Sequence, residues 1–295
     1  MSQQTLSPKR LTLRDLQRLQ SQGEKLTMLT AYDVITAGIL DQAGIEILLV
    51  GDSLGNVVLG FDTTLPVSLE DMIRHTAAVV RGSQRAFVIL DLPFGTTTDP
   101  DTALRASIRA LKETGCQAVK LEGGATAVPL VRRLTEQGIP VMGHIGLTPQ
   151  SIHQLGGYYR HGKTALEAQT LCEAALALQE AGAFSIVLEC VYPEVAAEIT
   201  DSLSIATIGI GSGESCSGQV LVINDLIGLG LKPPPKFVTP RADVAQVIRA
   251  AVHDFMTSVK TPPPSSKTAC DKGSTNLGET PCPAGLSSTS AIPTP

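Results

Sequence analysis

The sequence predicts an α/β protein built as a single (β/α)8 barrel, and three observations carry that prediction. Short apolar runs alternate with longer amphipathic stretches in one uninterrupted series. The runs are apolar throughout rather than alternating, as strands of a parallel sheet covered on both faces are. Residues 1–260 have the composition of a folded domain, and that length is close to the ~250 residues typical of such a barrel.

The elements follow in order. Thr12-x-x-Asp15 is a capping-box pattern and Gly23 a stop, which sets a capping helix ahead of the first strand. Strands are expected at Leu26–Thr30, Ile47–Val50, Phe87–Leu90, Val119–Leu121, Pro140–Met142, Ser185–Leu188 and Ala206–Ile210, with a weaker eighth around Lys236–Val238. Asp99-Pro100 opens a helix whose face is Leu104, Ile108 and Leu111 and whose stop is Gly115. Leu130 and Leu134 lead to the stop Gly138-Ile-Pro140, and Leu171, Ala175 and Leu178 lead to Gly182. Val244, Val247, Ile248, Ala251, Val252 and Phe255 mark the last helix.

After Lys260 the composition changes. Residues 261–295 hold seven Pro, six Ser and six Thr in 35 positions, too little apolar surface to offset the entropy of ordering them. The expected organisation is therefore a barrel over 1–260 and a disordered tail over 261–295. The chain carries 28 acidic and 23 basic residues, a net charge of −5, so no long-range field draws in nucleic acid or an anionic membrane. Its six Cys form no C-x-x-C pair, which argues against a disulfide or zinc scaffold and for a reducing compartment. No apolar run approaches the ~18 residues of a membrane span, and Met1–Arg10 lacks the apolar core of a secretory signal. A cytoplasmic location is the expectation.

The functional signal lies in what ends each strand. Successive strands run into Gly51-Asp52-Ser53, Asp91-Leu-Pro93, Lys120-Leu-Glu122, Gly143-His144 and Glu189-Cys190. One charged residue after a strand is ordinarily a helix cap or a solvated loop residue. Five strands in a row ending this way are a site, because the carboxyl ends of all barrel strands open onto one mouth. Carboxylates set against apolar segments are costly unless paired or bound to metal. Lys120 and Glu122, two apart, share a face and read equally as a structural ion pair or as catalytic groups. Asp52, Asp91 and Glu122, with no Cys–His cluster, suit a hard ion such as Mg²⁺. Glu189, on a later strand across the mouth, stands where a general base is needed.

Other features are weaker. Gly209-Ile-Gly211-Ser-Gly213 reads as an anion cradle or as close backbone packing. Leu155-Gly-Gly157-Tyr158-Tyr159 reads as a stacking surface for a flat ligand or as an interface. His75, His153, His161 and His253 read as surface or capping residues without partners, and Cys190 as a small buried apolar residue.

Taken together the motifs acquire a family likeness. Met28-Leu-Thr-Ala-Tyr-Asp33, Val50-Gly-Asp-Ser-Leu-Gly55, Thr64-Leu-Pro-Val67, His75-Thr-Ala, Asp91-Leu-Pro, Val119-Lys-Leu-Glu-Gly-Gly124, Gly143-His-Ile-Gly-Leu-Thr-Pro-Gln-Ser151 and Leu188-Glu-Cys190 resemble the ketopantoate hydroxymethyltransferases, from about Thr12 to about Lys260. The resemblance implies a TIM barrel of the phosphoenolpyruvate mutase and isocitrate lyase group. It implies transfer of a hydroxymethyl group from 5,10-methylenetetrahydrofolate to 3-methyl-2-oxobutanoate, giving 2-dehydropantoate on the route to pantothenate and coenzyme A. By motif, Asp52 and Asp91 would bind Mg²⁺ with Glu122 completing or bracing the shell. Asp52, Ser53, Asp91 and Lys120 would hold the keto acid, His144 would contact it, and Glu189 would accept the proton. Family members form rings, so a homodecamer is implied as well.

The chain departs from the family pattern at Ser217, where an Asp is common, and at Asn224, where a His is common; both are expected on the folate side of the mouth. Two rival readings stand beside this one. A lyase of the same superfamily would carry a Lys-Lys-Cys-Gly-His segment, which the sequence lacks. A barrel that has lost catalysis would not need Asp52, Asp91, Lys120, Glu122 and Glu189 together.

Overall fold

The computed structural model describes residues 9–261. Eight parallel strands form a closed barrel in sequence order: β1 (Leu26–Thr30), β2 (Ile47–Val50), β3 (Phe87–Asp91), β4 (Ala118–Lys120), β5 (Val141–Gly146), β6 (Ser185–Glu189), β7 (Ala206–Ile210) and β8 (Gly218–Leu221). Closure is made by β1 against β8, with Leu26 opposite Gly218 and Met28 opposite Val220. The helices are α1 (Leu13–Ser21), α2 (Val34–Gln42), α3 (Leu54–Val57), α4 (Leu69–Gly82), α5 (Pro100–Thr114), α6 (Val128–Thr135), α7 (Ile152–Leu155), α8 (Ala165–Glu180), α9 (Pro193–Ser202), α10 (Ile223–Leu226) and α11 (Val244–Lys260). The compact unit that contains the barrel ends at Arg249, inside α11, and a second unit begins at Ala250. Of the tail expected over 261–295, residues from 262 on lie outside the described residues.

The start and stop signals fold as their chemistry directs. Thr12 Oγ1 accepts the Asp15 N–H while Asp15 Oδ2 accepts the Thr12 N–H at 2.9 Å, the reciprocal cap of α1. Asp99 caps α5 ahead of Pro100, and Gly115 ends that helix in the left-handed region at φ 78°. The strands divide their side chains between two cores. Leu48, Val50, Val88, Leu90, Val119, Ile186 and Leu188 face outward against the helices. Leu26, Met28, Ile47, Leu49, Phe87, Ile89, Ala118, Met142, Val187 and Ile208 face inward and fill the barrel. Leu16 of α1, with Leu13 and Leu19, packs on this inner cluster, so α1 plugs the amino end of the barrel.

The eighth strand is not where the sequence placed it. It is Gly218–Leu221, and Lys236–Val238 belongs to a loop. That loop is flanked by Pro233, Pro234, Pro235 and Pro240, none of which donates to a ladder. The true strand opens on a glycine because a Cβ there would lie 2.4 Å from the Leu26 carbonyl oxygen; β1 and β8 close the barrel only across a bare backbone.

Candidate active site

Period-two alternation builds the mouth. On β3, Phe87 and Ile89 point inward and the next inward position is Asp91; on β4, Ala118 is followed inward by Lys120; on β5, Met142 by His144; on β6, Ser185 and Val187 by Glu189. Each of these polar residues is thus the top rung of an inward-facing ladder whose lower rungs are mostly apolar. Asp52 and Ser53 follow β2, and Glu122 lies two residues past the end of β4 rather than on it. All seven sequence-derived residues line one cavity of about 170 Å³, together with Thr30, Asn56, Thr64 and Tyr158 and an apolar wall that includes Leu49, Val187 and Ile210. That is below the ~300–1,000 Å³ of sites for drug-sized ligands, and suits a small acid.

The charges are tightly coupled. Lys120 Nζ lies 2.7 Å from Asp91 Oδ1 and 3.2 Å from His144 Nδ1, with both side chains of the ion pair almost fully buried. An ammonium only donates, so His144 Nδ1 accepts and the neutral ring carries its proton on Nε2. Nε2 lies 3.1 Å from Glu189 Oε2 without hydrogen-bond alignment. Burial holds the His144 pKa down, and the Lys120 charge adds to that effect. Burial works against the Lys120 ammonium as well, yet Asp91, Glu122 and Asp52 outweigh it and raise its pKa. Asp91 is pushed up to about 7 by burial, against the pull of Lys120. Glu122 is raised well above its ordinary range by burial, again opposed by Lys120.

Glu189 is presented by an unusual backbone. Gly146 stands opposite it in register at φ 91°, and a Cβ there would fall 2.3 Å from the Glu189 carbonyl oxygen. Cys190, the next residue, is the one non-glycine at positive φ (50°) among the described residues. It is half-buried rather than fully buried, and burial with the neighbouring Glu189 charge pushes its thiol up to about 11.

The donor set fits a hard divalent ion. Asp52, Asp91 and Glu122 offer carboxylate oxygens, and Glu122 Oε1 is buried with no hydrogen-bond partner among the described residues. No three His, Cys, Asp or Glu side chains among the described residues form a closed metal cage. Mg²⁺ does not require one, since it usually takes one or two carboxylates and fills its octahedron with water and substrate oxygens.

Several expectations change. Ser217 immediately precedes β8 and accepts the Thr207 N–H at 3.3 Å, so it lies at the amino end of the barrel, away from the mouth. Asn224 follows β8 and does lie on the mouth side, donating to the Leu229 carbonyl at 3.2 Å. The loop after β7 is a packing device: Ser212 Oγ donates to the Leu188 carbonyl and accepts the Val191 N–H, and the Phe237 ring lies against Gly211. His161 is buried, 3.3 Å from Glu167 Oε1, and His75 Nδ1 lies 2.6 Å from the Tyr32 carbonyl oxygen; neither is the partnerless residue the sequence suggested. Tyr158 lines the cavity, whereas Tyr159 stacks on His161 at 4.8 Å.

Thr30, Asn56 and Thr64 of the cavity lining were not singled out from sequence, nor were two residues that hydrogen-bond to the site side chains. Tyr32 Oη shares a hydrogen bond with Ser53 Oγ at 2.9 Å, and Gln150 bonds to both Asp52 and Glu122. Both sit inside the motifs that carry the family likeness, but uncharged residues past a strand end carry no cue that they contact the site.

Comparison with known proteins concerns the chain as a whole. A family model described as ketopantoate hydroxymethyltransferase matches residues 10–263. A protein of Chloroflexus aurantiacus named 3-methyl-2-oxobutanoate hydroxymethyltransferase is 53% identical over 251 residues, covering 85% of this chain and 89% of the relative. One of the same name from Heliobacterium modesticaldum is 53% identical over 252 residues, covering 85% and 91%. Among solved structures, phosphoenolpyruvate phosphomutase of Streptomyces platensis subsp. rosaceus superposes with a TM-score of 0.59 at 11% identity over 85% of this chain and 88% of that one. A 2,3-dimethylmalate lyase does so with a TM-score of 0.54 at 15% identity over 88% of each chain. These two likenesses concern the fold alone; the sequence matches go further. Over nearly all of its described length, the chain belongs to the ketopantoate hydroxymethyltransferase family and is a hydroxymethyl-transferring enzyme.

Proposed function

We propose that the reaction starts with removal of the C3 proton of 3-methyl-2-oxobutanoate by Glu189. The new C–C bond is then made to the methylene carbon of 5,10-methylenetetrahydrofolate, water supplies the hydroxyl oxygen and tetrahydrofolate leaves, giving 2-dehydropantoate as the first committed step towards pantothenate and coenzyme A. The observation that carries this reading is the division of charge across the mouth. Asp52, Asp91 and Glu122 gather on one side, Glu189 stands on the strand opposite β2, and Lys120 with His144 lies between.

Asp52 and Asp91, with Glu122, would hold Mg²⁺, which when bound polarises the keto group and stabilises negative charge on its oxygen. Lys120 supplies a fixed positive charge to the acid's oxygens, and Ser53 is oriented for them by Tyr32. Glu189 takes the proton on its carboxylate, whose side chain is 18% exposed against 5% for Glu122 and is therefore the more open to an incoming substrate. His144, neutral and fixed by Lys120 through Nδ1, keeps its Nε2 within 3.1 Å of Glu189 Oε2 and so borders the space where the base meets the substrate. Leu49, Val187 and Ile210 receive the branched alkyl group, and such a wall discriminates only weakly between acids differing by one methylene. A second hollow of about 740 Å³, which shares Asn56 with the cavity and is lined by Phe61 and Asn224, has room for the larger folate.

We further propose a cytoplasmic homodecamer. Free thiols at Cys116, Cys172, Cys190 and Cys216 support a reducing compartment, and Ile35 and Ile39, 70% and 62% exposed on α2, support burial against other copies.

The test is proton NMR of the keto acid in D₂O with enzyme and Mg²⁺. Loss of the C3 proton signal is expected, and it should stop with chelator or with Glu189→Gln. Exchange that persists in Glu189→Gln would remove Glu189 as the base.

A further inference from the structure

Gln150 lies behind the cavity wall, in the short turn Pro149–Ser151 that follows β5, and is 9% exposed. Its side-chain Nε2 donates to Asp52 Oδ2 at 3.0 Å and to the Leu92 carbonyl at 2.9 Å. Both partners are acceptors, so the amide has one admissible orientation; turned over, its own oxygen would face theirs. The backbone N–H of the same residue donates to Glu122 Oε2 at 3.0 Å. One residue on the β5 loop is therefore bonded to the loops after β2, β3 and β4.

The pattern of bonds is selective. Each carboxylate gives one oxygen to Gln150 and keeps the other. Asp52 Oδ1 has no hydrogen-bond donor among the described residues, and Glu122 Oε1 is buried with none. The bond to the Leu92 carbonyl anchors the amide to the chain just past Asp91, so all three carboxylates are referred to one frame.

We propose that Gln150 is the positioning residue of the divalent-ion site, turning Asp52 and Glu122 so that one oxygen of each remains free for the ion. The proposal rests on the reading of Asp52, Asp91 and Glu122 as the Mg²⁺ site. Gln150 touches neither ion nor substrate in this role and acts through the two carboxylates. Removing such an outer partner typically weakens metal binding by about 10–100-fold.

Gln150→Met keeps the length of the side chain, deletes both side-chain donor bonds and leaves the backbone N–H to Glu122 in place. Mg²⁺ is titrated calorimetrically into the wild type and the variant, with circular dichroism and a melting curve as the check on folding. The expected result is a Kd for Mg²⁺ raised about tenfold or more. C3 proton exchange should be slowed at low Mg²⁺ and return to within about twofold of wild type once the variant is saturated, a rescue that a merely structural defect would not show. If the methionine variant does not fold, Gln150→Asn, too short to span both acceptors, is expected to show the same weakening. An unchanged Kd in a folded variant overturns the proposal while leaving the metal reading intact, as does lost exchange that saturating Mg²⁺ fails to restore. A wild type that binds no Mg²⁺, with or without keto acid, overturns the metal reading and this proposal with it.

Discussion

Lys120 is held among Asp91, Glu122 and Asp52 with 4% of its side chain exposed, and its charge is what makes that many carboxylates tolerable in one place. Lys120→Met is expected to destabilise the metal-free protein by about 3–5 kcal/mol in urea denaturation, because it strands a buried charge. A loss below about 1 kcal/mol would mean that the carboxylates are protonated or solvated instead. Glu122 carries a different prediction. Its folded pKa is raised above the ordinary 4.5 by burial, so the folded chain holds that proton more tightly than the unfolded chain does. The corresponding stability is complete below pH 4.5 and is lost as the pH rises. Glu122→Gln, fixed in the neutral form, should therefore melt above the wild type at pH 8 in chelator, with the gap closing towards pH 4. Equal melting at both values would count against it. These residues were legible in the sequence because they are charged where an apolar ladder ends. Gln150 and Tyr32 were not, since a neutral side chain in a turn looks the same whether or not it touches a carboxylate.

At the level of elements, the inward ladders do the positioning, and the bottom of the barrel has to be sealed for them to stay dry. Leu16 of α1 is 3% exposed against the inner cluster, so Leu16→Ala is expected to cost about 2–5 kcal/mol in chemical denaturation with little change in Mg²⁺ affinity. Closure of the barrel gives a sharper contrast. Gly218→Ala would press a methyl onto the Leu26 backbone and should destabilise by about 1–3 kcal/mol. Gly157→Ala, with nothing within 4 Å of the new carbon, should leave the melting temperature nearly unchanged; similar losses in the two variants would mean that closure does not depend on the bare backbone of Gly218. Seven strands and the helix caps could be read in advance because their signals are local: an apolar run, Thr12 with Asp15, Asp99 with Pro100. The eighth strand could not. Gly218-Gln-Val-Leu has too few apolar side chains to stand out, and its identity depends on β1, nearly 200 residues away, offering a bare edge at Leu26.

For the whole molecule, the proposed homodecamer should appear by light scattering at ten times the 30.9 kDa of one chain. Ile35→Asp combined with Ile39→Asp should reduce that mass if the exposed face of α2 is buried between copies. An unchanged decamer would place the interface elsewhere. The sequence by itself determined the fold class, the first seven strands and the charged residues of the mouth, because an apolar run is a local property and the carboxyl ends of parallel strands must share one end of the barrel. Only the tertiary structure decided which oxygens of Asp52 and Glu122 are spoken for, which ring nitrogen of His144 holds its proton, and that Ser217 lies at the far end from Asn224. The first two depend on groups 24 to 98 residues apart brought within about 3 Å, and the third on where β8 falls; neither composition nor periodicity records these.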